Sequence, residues 1–239
     1  MGSKALMNDT LYQVATAIVP LVFAIVFHEV AHGWVAKMLG DPTAAERRRL
    51  SLNPLRHVDP MGTILLPGAL MLLGLPVFGW AKPVPVDYRR LRNPKRDMAL
   101  VAAAGPGTNL VLAAAAAVAL GYLFPSLEAP VQVHSLADFS FQNLNRFLVI
   151  NVSLAIFNLL PLPPFDGSRI LRGVLPMGGV RILDRIEPLG IPIFMIVFIV
   201  LPWLVPGLHI VDRIILPPIG WVLEQFYLLA SFVAGPELA

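Results

Sequence analysis

The feature that most constrains this chain is its series of long apolar runs. A helix needs about 20 mostly apolar residues to cross a bilayer. Six segments approach that length: 11–39, 61–80, 98–124, 143–161, 190–206 and 214–235. No polar stretch between them is long enough to build a water-soluble domain. Apolar residues make up 56% of the 239 and charged residues 14%, where a soluble domain carries about a quarter charged. That is too little charge to cover a water-facing surface. The pattern predicts an all-α polytopic membrane protein, a helical bundle of five to six membrane segments. It reads as a single domain over 1–239, with a core of about 11–175 and additional C-terminal segments over 190–235.

Several classes drop out. Cysteine is absent, which excludes disulfides and thiolate metal sites. The net charge of +3 is small, and its Arg and Lys residues cluster in loops without interleaved stacking aromatics. That fits lipid headgroups and topology, and no nucleic-acid partner is expected. The N-terminus lacks the basic region, short apolar core and small-residue site of a cleavable signal. The alanine run at 113–117 lies within an apolar span and reads as a surface for close helix packing.

Loop charge predicts topology. The 40–60 loop holds Arg47, Arg48, Arg49 and Arg56. The 81–97 loop holds Lys82, Arg89, Arg90, Arg92, Lys95 and Arg96, and the 162–189 loop holds Arg169, Arg172, Arg181 and Arg185. The 125–142 loop has Glu128 and Asp138 and no Lys or Arg. Positive residues favour the cytoplasm, yet two basic loops flank segment 61–80. If that segment crossed, they would lie on opposite sides. It contains Pro67, Gly68, Gly74, Pro76 and Gly79, breakers that a re-entrant element tolerates where protein covers it. The expectation is five crossings plus one hairpin, N-terminus outside and C-terminus in the cytoplasm. Six complete spans is the alternative.

The interior of segment 11–39 is broken by His28-Glu29-Val30-Ala31-His32, an H-E-x-x-H pattern. Residues four apart share a helix face, so two imidazoles can grip one zinc ion while the adjacent Glu reaches a zinc-bound water. Zinc lowers that water's pKa, and Glu29 takes its proton. The bland alternative is two histidines packed in a bundle. Three ionisable groups inside an apolar span are costly to bury without a use, which favours function.

A hydrolytic zinc needs a third protein ligand and an open position. His57, His134 and His209 remain, with few acids. Asp166 directly follows segment 143–161, where prolines at 161, 163 and 164 stop the helix and Gly167 permits a turn. Segments 11–39 and 143–161 run the same way, so His28, His32 and Asp166 emerge near one face, whereas Asp138 lies at the other. An ordinary Asp-Gly turn is the competing reading of Asp166.

These residues together resemble the site-2 proteases, intramembrane zinc metalloproteases. One part of the match is the H-E-x-x-H in an apolar helix. The other is Asn158-x-x-Pro161-x-x-Pro164-x-Asp166-Gly167, similar to that family's N-x-x-P-x-x-P-x-D-G. The resemblance covers about residues 20–175. It implies one Zn2+ on His28, His32 and Asp166, Glu29 as base, and Asn158 positioning substrate or stabilising the oxyanion. Asn158 alone reads first as a helix-to-helix hydrogen bond. Three further stretches are similar to the compact bacterial and archaeal branch: Asn53-Pro54 through His57 to Asp59-Pro60, the 79–86 segment, and Gly105-Pro106-Gly107-Thr108-Asn109. Phe165 stands where the family often has Leu or Met. No stretch reads as a PDZ or CBS domain.

The resemblance implies intramembrane proteolysis in a prokaryotic plasma membrane, with the site nearer the cytoplasmic side. The expected partners are a substrate helix and the lipid bilayer. Segment 61–80 and Val84-Pro85-Val86 are candidates to hold an extended substrate. An inactive zinc-binding scaffold and a metal transporter are the alternatives. His57 and Asp59 read as loop bracing, and Gly105-Pro106-Gly107 as a tight helix crossing near the site. Trp80, Trp203 and Trp221 read as interface anchors, and the 47–49 arginines as headgroup contacts.

Overall fold

The computed structural model describes residues 2–72, 74, 79–125, 135–205 and 207–235, with side chains from Tyr12 onward. Residues 126–134 of the 125–142 loop, with Glu128 and His134, positions 75–78 and the Ile199 and Trp203 side chains lie outside that set. Among the described residues every regular element is helical.

The α-helices among the described residues are, in chain order, α1 (Gly2–Met38), α2 (Thr43–Glu46), α3 (Leu66–Leu72), α4 (Pro94–Leu123), α5 (Leu136–Asn158), α6 (Asp166–Val174), α7 (Met177–Ile186), α8 (Gly190–Met195), α9 (Leu201–Leu204) and α10 (Leu216–Ala234). A π-helical turn, Val211–Ile215, leads into α10, and another, Ile196–Val200, joins α8 to α9. Among the described residues three helices are long and apolar enough to cross a membrane: Tyr12–Met38 with 27 residues, Pro94–Leu123 with 30 and Val211–Ala234 with 24. At 1.5 Å per residue each exceeds the roughly 30 Å of a hydrocarbon core. Their outer faces are apolar and exposed, as at Phe23, Val111, Trp221 and Phe232. Lipid accepts a surface that would invite association in water.

The apolar runs and the helices differ at their ends. α1 starts at Gly2, earlier than the run at 11–39, because polar residues also continue a helix. α5 starts at Leu136, and its first half carries Asp138, Gln142, Asn143, Asn145 and Arg146. Polarity there dilutes the apolar signal without breaking the helix. Segment 190–206 is helical through Leu204 in three short pieces.

The chain divides into two compact units. One comprises residues 1–24, 109–155 and 217–239. Its core is built from Ala113, Ala116, Ala117, Leu120, Leu148, Val152 and Ala230, all buried. The 113–117 run is thus a packing surface. At Gly121 a Cβ would lie 2.1 Å from the Ala230 carbonyl oxygen, so α4 and α10 meet nearly backbone to backbone. Small residues permit such approach in lipid. The polar half of α5 is tied down inside this unit. Tyr12 donates to Asp138 at 2.6 Å, Arg146 to the Gln13 carbonyl at 3.0 Å, and Tyr227 to Asn145 at 2.6 Å. The fully buried Asn109 donates to Asn151 at 2.7 Å.

The second unit comprises Ile25–Thr108 and Ile156–Leu216. Past α1, Asp41 is fully buried and accepts from the Thr43 N–H at 3.0 Å, the Thr43 hydroxyl and the Asp87 N–H at 2.6 Å. One carboxylate thereby ties the end of α1 to the chain entering α4. Ala36, Leu91 and Val101 form a small apolar core beside it.

Segment 61–80 turns back on itself. A π-helical turn, Pro60–Leu65, begins with its Met61 and Gly62 N–H groups capped by Asp59 and leads into α3. The chain then returns to its starting point: the Trp80 N–H donates to the Gly62 carbonyl at 3.1 Å, and Thr63 to the Trp80 carbonyl at 2.9 Å. A Cβ at Gly62 would sit 2.3 Å from the Trp80 indole, and one at Gly79 would sit 2.2 Å from the Gly62 oxygen. The two ends of segment 61–80 are thus fastened together at Gly62, Thr63 and Trp80. His57 and Asp59 brace it: the His57 carbonyl accepts from the Lys82 N–H at 2.8 Å, and its Nε2 donates to Ser51 at 2.8 Å. Trp80 and Trp221 are exposed, as interface anchors are.

Candidate metal centre

The site lies within the second unit. α1 carries His28 and His32 on one face, a turn apart. Beyond α5 the proline-rich turn ends at α6, whose first residue is Asp166. Gly167 makes this placement possible. A Cβ there would lie 2.3 Å from the carbonyl oxygens of both Leu159 and Leu160, so only glycine lets the start of α6 lie on the end of α5. Four rings support the turn from the other side. Phe165 meets Phe157 edge-on at 4.9 Å and Phe194 at 5.5 Å, and Phe198 extends the cluster.

The three predicted ligands converge. The Nε2 atoms of His28 and His32 are 3.0 Å apart, and Asp166 Oδ2 is 3.2 Å from each. All three residues are buried. Ligand atoms around a tetrahedral zinc at about 2.0–2.1 Å stand about 3.3 Å from one another. The triangle therefore already has the size of one face of such a tetrahedron.

Protonation geometry agrees. His32 Nδ1 lies 2.7 Å from the Val101 carbonyl of α4. A carbonyl only accepts, so Nδ1 carries the hydrogen and a neutral ring turns its Nε2 lone pair toward Asp166. Two acceptors 3.2 Å apart repel unless a proton or metal cation lies between them. A donor to the distal nitrogen is the usual support for a metal-binding histidine.

α4 reaches the site because it has no side chain there. A Cβ at Gly105 would lie 2.5 Å from His32 Cε1 and Nε2 and 2.6 Å from His28 Cε1. The glycine-proline-glycine stretch is thus a close helix crossing against the histidine rings.

Glu29 is half-buried. Its Oε2 accepts from the Val84 N–H at 2.7 Å. Asn158 is the last residue of α5 and half-buried, eight residues before Asp166. His57 is buried in the loop that braces the hairpin, and His209 lies on the surface beside Asp212 at 2.8 Å. Neither belongs to the one three-ligand group found among the described residues.

A family model described as peptidase family M50 matches residues 16–201. The chain belongs to this family. It is the site-2 protease family that the two motifs resemble. Among curated relatives, two share the description "Putative zinc metalloprotease". YwhC of Bacillus subtilis is 38% identical over 186 residues, 76% of this chain and 79% of the relative. Rip2 of Mycolicibacterium smegmatis is 29% identical over 181 residues, 75% of this chain and 64% of the relative. No solved structure matches the chain. An M50 peptidase with apolar spanning helices is an integral membrane protein, and its His28, His32 and Asp166 donor set fits zinc.

Proposed function

We propose that this M50 chain is an intramembrane zinc endopeptidase that hydrolyses peptide bonds within or near membrane-spanning segments of other proteins. The observation that carries the reading is the buried triangle of His28, His32 and Asp166 with a glutamate adjoining the first ligand. Its sides match a zinc coordination face, and zinc binding alone has no need of Glu29.

His28, His32 and Asp166 would hold the ion. When bound, zinc supplies Lewis acidity, lowering the pKa of a water and polarising the scissile carbonyl. Glu29 accepts the attacking water's proton and returns one to the leaving amine. Its Oε2 is oriented by Val84, and its second oxygen is the one to carry that proton. Asn158 supplies an amide donor to the developing oxyanion, where a single donor is worth about 10²–10³ in rate.

A substrate helix hides its carbonyls in hydrogen bonds, so it must unwind locally before attack. The extended 81–86 segment and the hairpin before it are the elements placed to hold such an unwound strand. The proposal sets the site nearer the cytoplasmic side of a prokaryotic plasma membrane, from which water would enter; the basic loops support that side.

The test pairs zinc analysis with cleavage of membrane-helix substrates by the detergent-purified chain. One zinc per chain with cleavage, and zinc without cleavage in Glu29→Gln, is the expected result. A Gln variant that cleaves like the parent removes Glu29 as base. A parent that takes up zinc and cleaves nothing leaves the scaffold reading.

A further inference from the structure

We propose that the main-chain N–H of Val84 is the group that positions the Glu29 carboxylate, so that the chain returning from the hairpin sets the aim of the base. This rests on the protease reading above.

The contact joins residues 55 apart in sequence at 2.7 Å. It is the third in a register. Trp80 donates to the Gly62 carbonyl at 3.1 Å and Lys82 to the His57 carbonyl at 2.8 Å. In extended chain alternate residues turn their N–H groups the same way, so Val84 is next in that series. Where a further carbonyl would stand in a sheet, a Glu29 oxygen accepts instead. Pro83 and Pro85 have no N–H, so Val84 carries the only main-chain donor in the 83–85 stretch, and the flanking rings stiffen it.

The side chain fixes the same register. Val84 is buried, and Gly33 lies one turn after Glu29 on α1. A Cβ at Gly33 would be 2.8 Å from Val84 Cγ1 and 2.5 Å from Leu50 Cδ2. Val84 thus sits in the notch that Gly33 leaves while its N–H reaches Glu29 beside it. Farther along, the buried Asp41 carboxylate accepts the Asp87 N–H at 2.6 Å and anchors the other end of the segment. Two α1-side carboxylates, at 29 and 41, therefore receive main-chain donors from one extended strand. A glutamate has three side-chain torsions to fix, and a charge-assisted bond to a stiff donor restricts them without using both oxygens.

The experiment compares Val84→Pro with Val84→Ala, both loaded with zinc and assayed on the same substrate. Alanine keeps the N–H and loses the side chain; proline removes the N–H and suits the extended backbone. The expected result is a kcat for the proline variant at least about tenfold below that of the alanine variant. KM and zinc stoichiometry should agree between the two within about threefold. Equal kcat values overturn the proposal. So does a loss of zinc or a rise in KM as large as the fall in kcat, because that marks a structural role. If the proline variant does not fold, Gly33→Ala against the parent decides by the same kcat, KM and zinc criteria, since its new methyl meets Val84 Cγ1 as well as Leu50 and must shift the Val84 segment. If the alanine variant and the parent both hold zinc and cleave nothing, the protease reading fails instead.

Discussion

His32 and Val101 are joined by a 2.7 Å hydrogen bond from the imidazole Nδ1 to the main-chain carbonyl. Gly105 follows Val101 by one turn on the same face of α4, with its missing Cβ against both histidine rings. One turn of α4 thus both holds the far edge of His32 and leaves room at its near edge.

Gly105→Ala should displace α4 from the site. Overpacking of this kind costs about 1–3 kcal/mol, and disturbing the support of a metal-binding histidine lowers affinity by about 10–100-fold. Gly107→Ala is the control, because a Cβ there meets nothing within 4 Å. It should be neutral or stabilise by up to about 1 kcal/mol through helix propensity. Thermal unfolding in detergent and zinc competition against a chelator measure both.

Asp166→Asn keeps the size of the ligand and removes its charge. Zinc affinity should fall by more than the roughly 100-fold upper range seen for changes one step removed from a metal. Asp138→Asn, in the other unit, should leave zinc affinity unchanged. Equilibrium dialysis against a zinc buffer distinguishes them.

Asn158→Ala should retain one zinc per chain and lower kcat by about 10²–10³-fold, the cost of one oxyanion donor. Loss of zinc in parallel would instead make Asn158 a packing residue.

Because the chain has no cysteine, single cysteines report topology cleanly. Arg47→Cys and Arg89→Cys should react with a membrane-impermeant maleimide from the same side, the cytoplasmic one. Leu136→Cys, which is exposed, should react from the opposite side. Labelling of positions 47 and 89 from opposite faces would turn the hairpin into a span.

Much of the site was readable because its chemistry is carried by side chains. His28, His32 and Asp166 are ligand types at recognisable spacings, and the structure brings their atoms within 4.8 Å of one another. The breakers Pro67, Gly68 and Gly79 made a turn within segment 61–80 readable, and the Gly62–Trp80 meeting agrees with it. The Val101 carbonyl and the Val84 N–H were not readable, because every residue has a carbonyl and nearly every residue an N–H. Only their placement makes them special. Gly105 was expected at a close crossing, but nothing in its neighbours says that two imidazoles are what it admits. The extent of α5 was missed at its start for a similar reason. Asp138, read as part of the 125–142 loop, looks like a loop residue until Tyr12 supplies its partner.

The meeting of Gly62 with Trp80 frees the intervening chain from a ruler that governs every true span. A crossing helix must match the thickness of the bilayer, and each added residue shifts whatever follows it. A hairpin whose two feet are fastened together has no such length to keep. Between Thr63 and Gly79 the sequence can lengthen, shorten or change its apolar reach while the strand at 80–86 stays in register with Glu29. The region is therefore where such a chain can vary without moving Val84 away from Glu29.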